Sequence, residues 1–398
     1  MNTKRCFEMR ILIANKFYYR RGGSDVYSIN LEQMLKDNGH EVAFFSMEHP
    51  ENLESEWSTF FPSEVKFSLA PQMVESFFRP LGTSEVRTKF TALIEAFKPD
   101  IVHLNIIHSQ LSPMIAEIAH EHGIKVVWTL HDYKLLCPRY DCLQNDKVVC
   151  EECFFDKRPV LKHKCMKNSM LASFLAYKEA VKWNRERIEK CVDKFICPSR
   201  FILNKMIQGG FEASKMNYLC NFIDTTRIEY RATEEKPYYC FLGRLSLEKG
   251  LKTLISAASR LPYKLKVVGT GPIEAELKEM ASENIEFIGY KKWDEIQQIL
   301  SESRFMVIPS EWYENNPLSV IESLCLGTPV LGAKIGGIPE LIDDSTGMTF
   351  ESANVAELCK KIEQMWNKTF DYANISAVAR KRFSVNEYYE SLMNIYTA

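Results

Sequence analysis

The chain has 398 residues, a formal net charge of −2 at pH 7, 46% hydrophobic residues and 26% charged residues. These values are typical of an ordinary globular protein of two or three domains, and they exclude a polycation that binds nucleic acid through charge alone. No apolar run reaches the roughly 20 residues of a membrane-spanning helix, and the first residues lack the long apolar core of a signal peptide. We therefore expect a cytoplasmic protein whose twelve cysteines are reduced, buried or metal-bound.

Short apolar runs alternate with helical patterns in the first half of the chain. The runs are rich in β-branched and aromatic residues with little alternation, which is typical of strands covered on both faces. Residues 24–40, between the first two runs, have a helical period, with Ser24 as the predicted N-cap and Gly39 just past the end. Five strands are predicted in this half: residues 10–15, 41–46, 100–105, 125–130 and 194–199.

The second half repeats this alternation of strands and helices. A polar stretch at 221–239 separates the two halves and is the predicted linker. The alternation predicts an α/β fold with two Rossmann-like domains, whose parallel sheets face an interdomain cleft and bind a ligand at the carboxyl ends of their strands. The predicted strands are 238–243, 264–269, 285–289, 304–310 and 328–333, and the predicted helices are 250–260, 273–282, 293–302, 317–326 and 354–367.

Two glutamates flank a predicted helix start in the segment SEWYENNPLSVIESLCLGTPV, residues 310–330. Asn316 can cap this helix and Pro317 suits its first position, so that first-turn N–H groups are free to bind a phosphate. Glu314 precedes the helix and Glu322 lies inside it, where each can accept hydrogen bonds from the hydroxyls of a sugar or a ribose. The alternative is that both are solvated residues, Glu314 in a loop and Glu322 on a helix surface.

A cationic loop and a glycine turn follow two predicted strands of the second half. GRLSLEKG (243–250) sets Arg244 and Lys249 at the carboxyl end of the sheet, where two fixed cations can neutralise a pyrophosphate leaving group without a metal. VVGTGP (267–272) is a glycine turn that lacks the complete dinucleotide-binding fingerprint. A solvated basic loop is the alternative interpretation of the first stretch.

Two strand ends of the first half carry related features. RRGGSDVY (20–27) follows the first strand and opens a helix, and Gly22 and Gly23 would let the backbone approach a ligand closely. TLHDY (129–133) places His131 at another strand end, although a lone histidine is also common as a structural residue. The convergence of five strand-end features on one predicted cleft favours a ligand site over coincidence.

Together these motifs resemble those of the retaining GT-B glycosyltransferases of family 4, the group 1 type, over nearly the whole chain. The most specific is the segment from Glu314 to Glu322 followed by GGIPELI (336–342), joined by GRL…EKG, the His-Asp pair and the glycine pair. One departure is Phe222 in NFID, where the family commonly has glycine. The resemblance implies three parts: a first domain at 1–220 with a Cys-rich insertion at 137–165, a nucleotide-sugar domain at 221–375, and a C-terminal helix at 376–398 that returns to the first domain.

The resemblance also implies a role for each of these residues. Arg244 and Lys249 would hold the donor diphosphate and stabilise its charge as it leaves. Glu322 would accept hydrogen bonds from the ribose and Glu314 would contact the donor sugar. His131 would bind the sugar or the phosphate beside the acceptor. The other implied donor-binding residues are Asn316, Pro317, Leu318 and Ser319 through their backbone N–H groups, Gly22 and Gly23 over the diphosphate, and Gly289 beside the nucleobase.

The implied activity is transfer of a sugar from a nucleotide diphosphate (UDP, GDP or ADP) to a hydroxyl acceptor, with no cofactor required for catalysis. With Glu322 on the ribose, no second carboxylate is available for a double displacement, which favours retention by same-face attack. The expected acceptor is a lipid-linked saccharide in surface polysaccharide biosynthesis. Two alternatives stay open: a sugar-nucleotide epimerase or phosphorylase on the same fold, and a non-catalytic zinc-containing binding protein.

Five cysteines lie between residues 137 and 165. The pair Cys150-x2-Cys153 can complete a tetrahedral structural zinc site with Cys142 and Cys165, and His163 is a spare ligand. The other two thiols lack the C-x2-C spacing. A compact loop with reduced cysteines, including Cys137, is therefore the alternative.

Residues 156–190 form a basic amphipathic segment. Basic residues outnumber acidic ones, and apolar side chains such as Phe174 and Trp183 are interleaved with them. This pattern predicts peripheral contact with the anionic face of a membrane. The alternative is a helix that covers the sheet of its own domain and carries a solvated basic rim.

Overall fold

The computed structural model describes residues 8–65, 78–146, 148–230, 232–233 and 236–398, without the side chain of Arg227. Residues 231, 234 and 235 of the predicted linker lie outside these ranges. By its internal contacts the chain forms two units. Unit 1 contains Met1–Asn145, Cys150–Leu219 and Tyr389–Ala398, and unit 2 contains Asp146–Val149 and Cys220–Tyr388.

Six strands before residue 219 form one parallel sheet, in the order β2–β1–β3–β4–β7–β8, and β5 and β6 form a separate two-stranded sheet. The central strands are buried almost throughout, as their apolar runs predict. The five strands predicted in this half are confirmed, although each ends one or two residues early. The strands are β1 (Arg10–Ala14), β2 (Glu41–Phe45), β3 (Ile101–Leu104), β4 (Lys125–Thr129), β5 (Leu143–Gln144), β6 (Val148–Val149), β7 (Lys194–Cys197) and β8 (Met216–Tyr218).

Helices connect these strands in the described part of the first half. The first of them begins at Gly23 with Gly22 as its N-cap, two residues before the predicted cap Ser24. Ser24 instead lies inside the helix, where its carbonyl accepts a hydrogen bond from the Ser28 hydroxyl. The helices are α1 (Gly23–Asp37), α2 (Ser84–Phe97), α3 (Met114–Glu121), α4 (Pro159–Lys162), α5 (Met170–Lys182), α6 (Arg185–Cys191) and α7 (Arg200–Gln208).

Unit 2 contains a second six-stranded parallel sheet, in the order β11–β10–β9–β12–β13–β14. All five strands predicted in this half are confirmed, and β14 was not predicted. The strands are β9 (Tyr238–Leu242), β10 (Lys264–Val268), β11 (Ile285–Gly289), β12 (Ser303–Ile308), β13 (Val330–Ala333) and β14 (Gly347–Phe350). The helices are α8 (Leu251–Ala258), α9 (Glu274–Met280), α10 (Trp293–Glu302), α11 (Leu318–Cys325), α12 (Val355–Asn367), α13 (Tyr372–Arg382) and α14 (Val385–Thr397).

The strand orders locate the ligand-binding edge of each sheet. In unit 2 the chain winds outward from β9 to β11 and then returns to β12 on the other side of β9, which is the order of a dinucleotide-binding Rossmann sheet. Helices that leave neighbouring strands in opposite directions open a crevice above the carboxyl ends of those strands. The crevice therefore lies above β9 and β12 in unit 2, and above β1 and β3 in unit 1.

The last helix, α14, contributes side chains to unit 1 from Tyr389 onward. The Tyr389 hydroxyl lies 2.8 Å from His40 Nε2, and the Tyr396 hydroxyl lies 2.5 Å from His103 Nδ1. Lys125 also donates a 2.8 Å hydrogen bond to the carbonyl of Tyr396. Within the described ranges, no helix combines the length and the hydrophobicity that crossing a bilayer requires.

Candidate active site

The loop after β9 is held close to the end of β12 by a glycine. Gly250 has φ +68°, and a Cβ at this position would lie 1.9 Å from the carbonyl oxygen of Pro309, directly after β12. Any other residue would force the two strand ends apart. The glycine thus lets the predicted cationic loop, 243–250, lie beside the segment that carries Glu314.

Lys249 and Glu314 form an ion pair in this place. Lys249 Nζ is 2.6 Å from Glu314 Oε1, and the Ser310 hydroxyl donates a 2.8 Å hydrogen bond to the same oxygen. Glu314 is buried, and burial by itself would raise its pKa, but the Lys249 ammonium and the hydrogen bonds outweigh burial and lower the pKa. Glu314 is therefore an ionised carboxylate at neutral pH, and its charge is balanced by Lys249.

Arg244 differs from Lys249, although both follow β9. Its side chain is exposed, and we find no hydrogen bond or ion pair to its guanidinium within the described ranges. A guanidinium presents several donors in a fixed plane that suits phosphate oxygens. Arg244 is thus a cation available to an anionic ligand at the crevice of unit 2.

Helix α11 begins one residue later than predicted, and its cap is different. Pro317 is the N-cap and Leu318 the first helical residue. Because proline has no N–H, the predicted donor at Pro317 does not exist. The first-turn N–H groups of Leu318 and Ser319 have no acceptor among the residues described, so they remain available to an anion.

The sequence predicted Asn316 as the N-cap of α11. In the structure Asn316 does not cap this helix but forms hydrogen bonds with residues at the start of unit 2. Its Oδ1 accepts a 3.1 Å hydrogen bond from the backbone N–H of Asn221, and its carbonyl accepts a 3.0 Å bond from Asn221 Nδ2. The Cys220 thiol lies 3.2 Å from Asn316 Nδ2. The sequence could not reveal this use of Asn316, because its partners lie about a hundred positions away along the chain.

Glu322 lies on α11 and is half-buried. We find no hydrogen-bond or ion-pair partner for its carboxyl group within the described ranges. Burial raises its pKa to about 7. A desolvated acceptor without a partner can bind the hydroxyl groups of a ligand, as the resemblance implied, although the role itself remains a prediction.

The GGIPELI segment shapes the backbone around Glu314. The N–H of Gly337 donates a 2.7 Å hydrogen bond to the Glu314 carbonyl. Gly336 has φ +59°, and a Cβ there would lie 2.1 Å from the same oxygen. This close contact explains Gly336 as a requirement of packing, and the hydrogen bond from Gly337 fixes Glu314 from the backbone side. Gly289 is the last residue of β11, with φ +69° and open space beside it.

Unit 1 has its own polar group at the ends of β1, β3 and β4. His131 Nε2 lies 2.9 Å from Asn105 Oδ1, and the His131 ring packs edge-on against Tyr27 at 4.7 Å. Burial lowers the pKa of His131 to about 3, so the imidazole is neutral at pH 7. With Asn105 Oδ1 facing the ring, His131 would donate from Nε2 and keep Nδ1 as an acceptor.

The sequence analysis did not single out two of the charged residues in this group. Lys16 follows β1, and its pKa is lowered by burial, an effect that the nearby Asp132 and Asp25 oppose. Asp25 accepts a 2.9 Å hydrogen bond from Asn15 Nδ2. A lysine two residues past the first strand was the available signal for this part of the site.

Gly22 and Gly23 lie at the start of α1. A Cβ at Gly22 would make ordinary contact, 3.6 Å from Asp25 Oδ2, and the residue has φ −145°. Neither the space around Gly22 nor its backbone conformation therefore requires a glycine at this position. The predicted close approach to a diphosphate remains a prediction.

The predicted zinc site stays a prediction. Within the described ranges, no group of three or more His, Cys, Asp or Glu side chains is arranged to hold a metal ion. Cys153 and Cys165 pack instead around Val160 in a small apolar cluster. Cys142 is fully buried and forms a hydrogen bond with the Cys137 thiol, and Cys150 is half-buried.

Two parallel Rossmann-like sheets with these strand-end groups are typical of the GT-B class of α/β proteins. Solved structures of this class have the same fold. The Anabaena protein HepE, solved in complex with UDP, is 17% identical to this chain, with a TM-score of 0.69, and the match covers 98% of this chain and 100% of that chain. At that identity the likeness establishes the fold.

The family follows from the sequence. The model described as Glycosyltransferase Family 4 matches residues 21–227, more than half of the chain, and the model described as Glycosyl transferases group 1 matches residues 222–382. The chain belongs to glycosyltransferase family 4 and is a transferase enzyme.

Two relatives match along most of their length. An uncharacterized 42.6-kDa protein in the cps region of Klebsiella pneumoniae is 26% identical over 352 residues, which cover 84% of this chain and 87% of that protein. The N-acetyl-alpha-D-glucosaminyl L-malate synthase of Bacillus anthracis is 22% identical over 395 residues, which cover 96% of this chain and 94% of that protein.

Proposed function

We propose that this glycosyltransferase moves a sugar, with retention, from a nucleotide diphosphate to a hydroxyl acceptor. The observation that carries the proposal is the exposed guanidinium of Arg244, for which we find no partner among the described residues, in the same loop as Lys249 of the Lys249–Glu314 ion pair. Arg244 and the N–H groups of α11 bind the diphosphate and stabilise its charge as the bond to the sugar breaks. The solved complexes of HepE with UDP and with UDP-glucose support a nucleotide-sugar donor and make UDP the first base to test.

The carboxylates take separate roles in this proposal. Glu322 accepts hydrogen bonds from the ribose, and Glu314 faces the donor sugar with one oxygen already bound to Lys249 and Ser310. A double displacement would need a free carboxylate as nucleophile. Because Glu314 is engaged in this ion pair, we propose same-face attack by the acceptor hydroxyl, with a donor phosphate oxygen taking its proton. No divalent ion takes part.

The acceptor that we propose is a lipid-linked saccharide of surface polysaccharide biosynthesis. The relative in the cps region of Klebsiella pneumoniae supports this context. Such an acceptor would place the enzyme at the cytoplasmic face of a membrane as a peripheral protein. In unit 1, His131 would accept a hydrogen bond from a substrate hydroxyl through Nδ1.

Thermal shift with a panel of UDP, GDP and ADP sugars tests the donor. A ligand at about one hundred times its Kd adds about 2.7 kcal/mol to the stability of the protein that binds it, so the true donor should raise the melting temperature by several degrees. EDTA should leave both the shift and the transfer rate unchanged. Absence of a shift with every nucleotide sugar, or activity abolished by EDTA and restored by Mg²⁺ or Mn²⁺, would contradict the proposal.

A further inference from the structure

Helix α5 presents its large apolar side chains to solvent. Met170, Leu171, Phe174 and Val181 are 52%, 61%, 44% and 44% exposed. We name these four residues the apolar stripe. Their spacing places them on one face of the helix, because successive helical residues are turned by about 100°. An ordinary surface helix places its large apolar residues on the packed face, so α5 has the reverse pattern.

The opposite face of α5 is small and polar, and it fastens the helix to its own unit. Ser173 and Ala176 are buried there. Glu179 is also buried and pairs with Lys134 at 2.9 Å. Just after the helix, Trp183 Nε1 donates a 2.8 Å hydrogen bond to the Pro80 carbonyl. Packing of α5 against unit 1 therefore explains the small, polar face of the helix but does not explain the apolar stripe.

The apolar surface continues beyond the helix. Phe155, in the Cys-rich insertion, is 79% exposed, which is more than any other large apolar side chain among the described residues. It lines a groove of about 540 Å³ together with Tyr177 and Val181 of α5. Phe155 thus extends the apolar stripe at the Val181 end. Monomeric proteins rarely expose contiguous apolar surface of this kind unless it binds something.

The charges around the apolar stripe are mainly positive, although Asp156 and Glu186 line the groove beside Phe155. Lys164, Lys167 and Lys178 are exposed, and Lys178 Nζ lies 5.3 Å from the centre of the Phe174 ring. The acidic residues of the same segment are partly used inside the protein: Glu179 faces Lys134, and Glu189 has a side chain only 16% exposed. An apolar face with a lysine rim complements the anionic headgroups and acyl chains of a bilayer surface.

We propose that the apolar stripe and Phe155 dock unit 1 onto an anionic phospholipid bilayer. Helix α5 lies in the plane of the interface, with Leu171 and Phe174 inserted between headgroups and the lysines on lipid phosphates. The inference rests on the proposed function only for the reason why the protein would bind a membrane, because a lipid-linked acceptor is presented at such a surface. Binding to lipid is measured without donor or acceptor, so it can fail or succeed independently of the transferase assignment.

Vesicle co-sedimentation of the full chain tests the proposal. Vesicles of phosphatidylcholine and phosphatidylglycerol in equal parts should pellet the protein at low salt, and pure phosphatidylcholine should not. The paired change Leu171→Asp and Phe174→Asp should weaken this binding more than about tenfold, since two apolar side chains lose their burial. The matched control is Val378→Asp, which alters an apolar residue 54% exposed on α13 in unit 2.

The outcomes separate the possible occupants. The proposal stands if the paired variant loses vesicle binding while its melting temperature and its shift with UDP match the wild type. Unchanged binding in that variant, or equal pelleting by neutral and anionic vesicles, overturns it. A wild-type dimer in light scattering that the paired change dissociates, with no pelleting at low salt, would make the stripe a protein interface instead. Lys167→Glu with Lys178→Glu should reduce binding only at low salt.

Discussion

The carboxyl group of Glu322 offers a quantitative test of donor binding. With a pKa of about 7 in the free enzyme, it is half ionised at pH 7. The ionised form accepts ribose hydroxyl donors more strongly than the neutral form, so the binding constant should rise with the ionised fraction, by up to about tenfold between pH 6 and pH 8. Removing two hydrogen bonds to a charged group, as in Glu322→Ala, should weaken UDP by about 2–4 kcal/mol, or about 30-fold to 1000-fold. Isothermal titration calorimetry with UDP measures both effects.

Glu322→Gln provides the control, because UDP has a phosphate group that titrates in the same range. The ratio of wild-type to Gln affinity removes the contribution of the ligand. This ratio should increase as pH rises from 6 to 8. The Gln variant should also melt at a higher temperature than the wild type at pH 8, because burial disfavours the ionised carboxyl group of Glu322 in the folded protein. A ratio that is constant with pH would show that the carboxylate does not titrate in contact with the ligand. An Ala variant with wild-type affinity would refute the ribose assignment altogether.

Two further predictions concern Arg244 and His103. Arg244→Ala should lower kcat by about 10²–10³-fold, far more than it weakens donor binding, and it should change the melting temperature little because the guanidinium has no partner in the described structure. Lys249→Ala should also destabilise the protein, since it leaves Glu314 buried without its cation. Normal turnover in Arg244→Ala would contradict the leaving-group role. Burial lowers the pKa of His103 to about 3, so the unfolded chain binds an extra proton below pH 6.5, and stability should fall by up to about 4 kcal/mol as the pH drops from 6.5 to 3. Urea denaturation across this range measures how steeply the free energy of unfolding depends on pH. His103→Gln should make this dependence less steep, and the control His120→Gln, at an exposed histidine, should leave it unchanged.

The sequence predicted the fold because local signals repeat along it. Each central strand is a short β-branched or aromatic run, and β1 and β11 were located to within one residue. Strand β14 was missed because Gly347–Phe350 has only four residues and little apolar pattern. The order of strands in the sheets does not follow from any local signal. It depends on which strands pair across the fold.

The site was predicted less completely, since its side chains are placed by contacts distant in sequence. Asn316 has the identity and position of an N-cap, yet its side-chain oxygen accepts a hydrogen bond from Asn221 instead. Asn105 gave no signal, although it orients His131 from a neighbouring strand. Helical periodicity finds the apolar stripe of α5 but does not tell which face of the helix packs against the protein.

Two glutamates beside a phosphate-binding helix start would be expected to repel the ligand. The structure removes most of that repulsion in two different ways. Glu314 is ionised, but Lys249 balances its charge at 2.6 Å. Glu322 has no counter-ion, but its raised pKa leaves it about half neutral near pH 7. The uncompensated charges at this edge of the sheet are then the guanidinium of Arg244 and the partial positive charge of the α11 N-terminus. Under the proposed function, this edge would attract a diphosphate, and Glu314 and Glu322 would supply the hydroxyl acceptors that a nucleotide sugar requires.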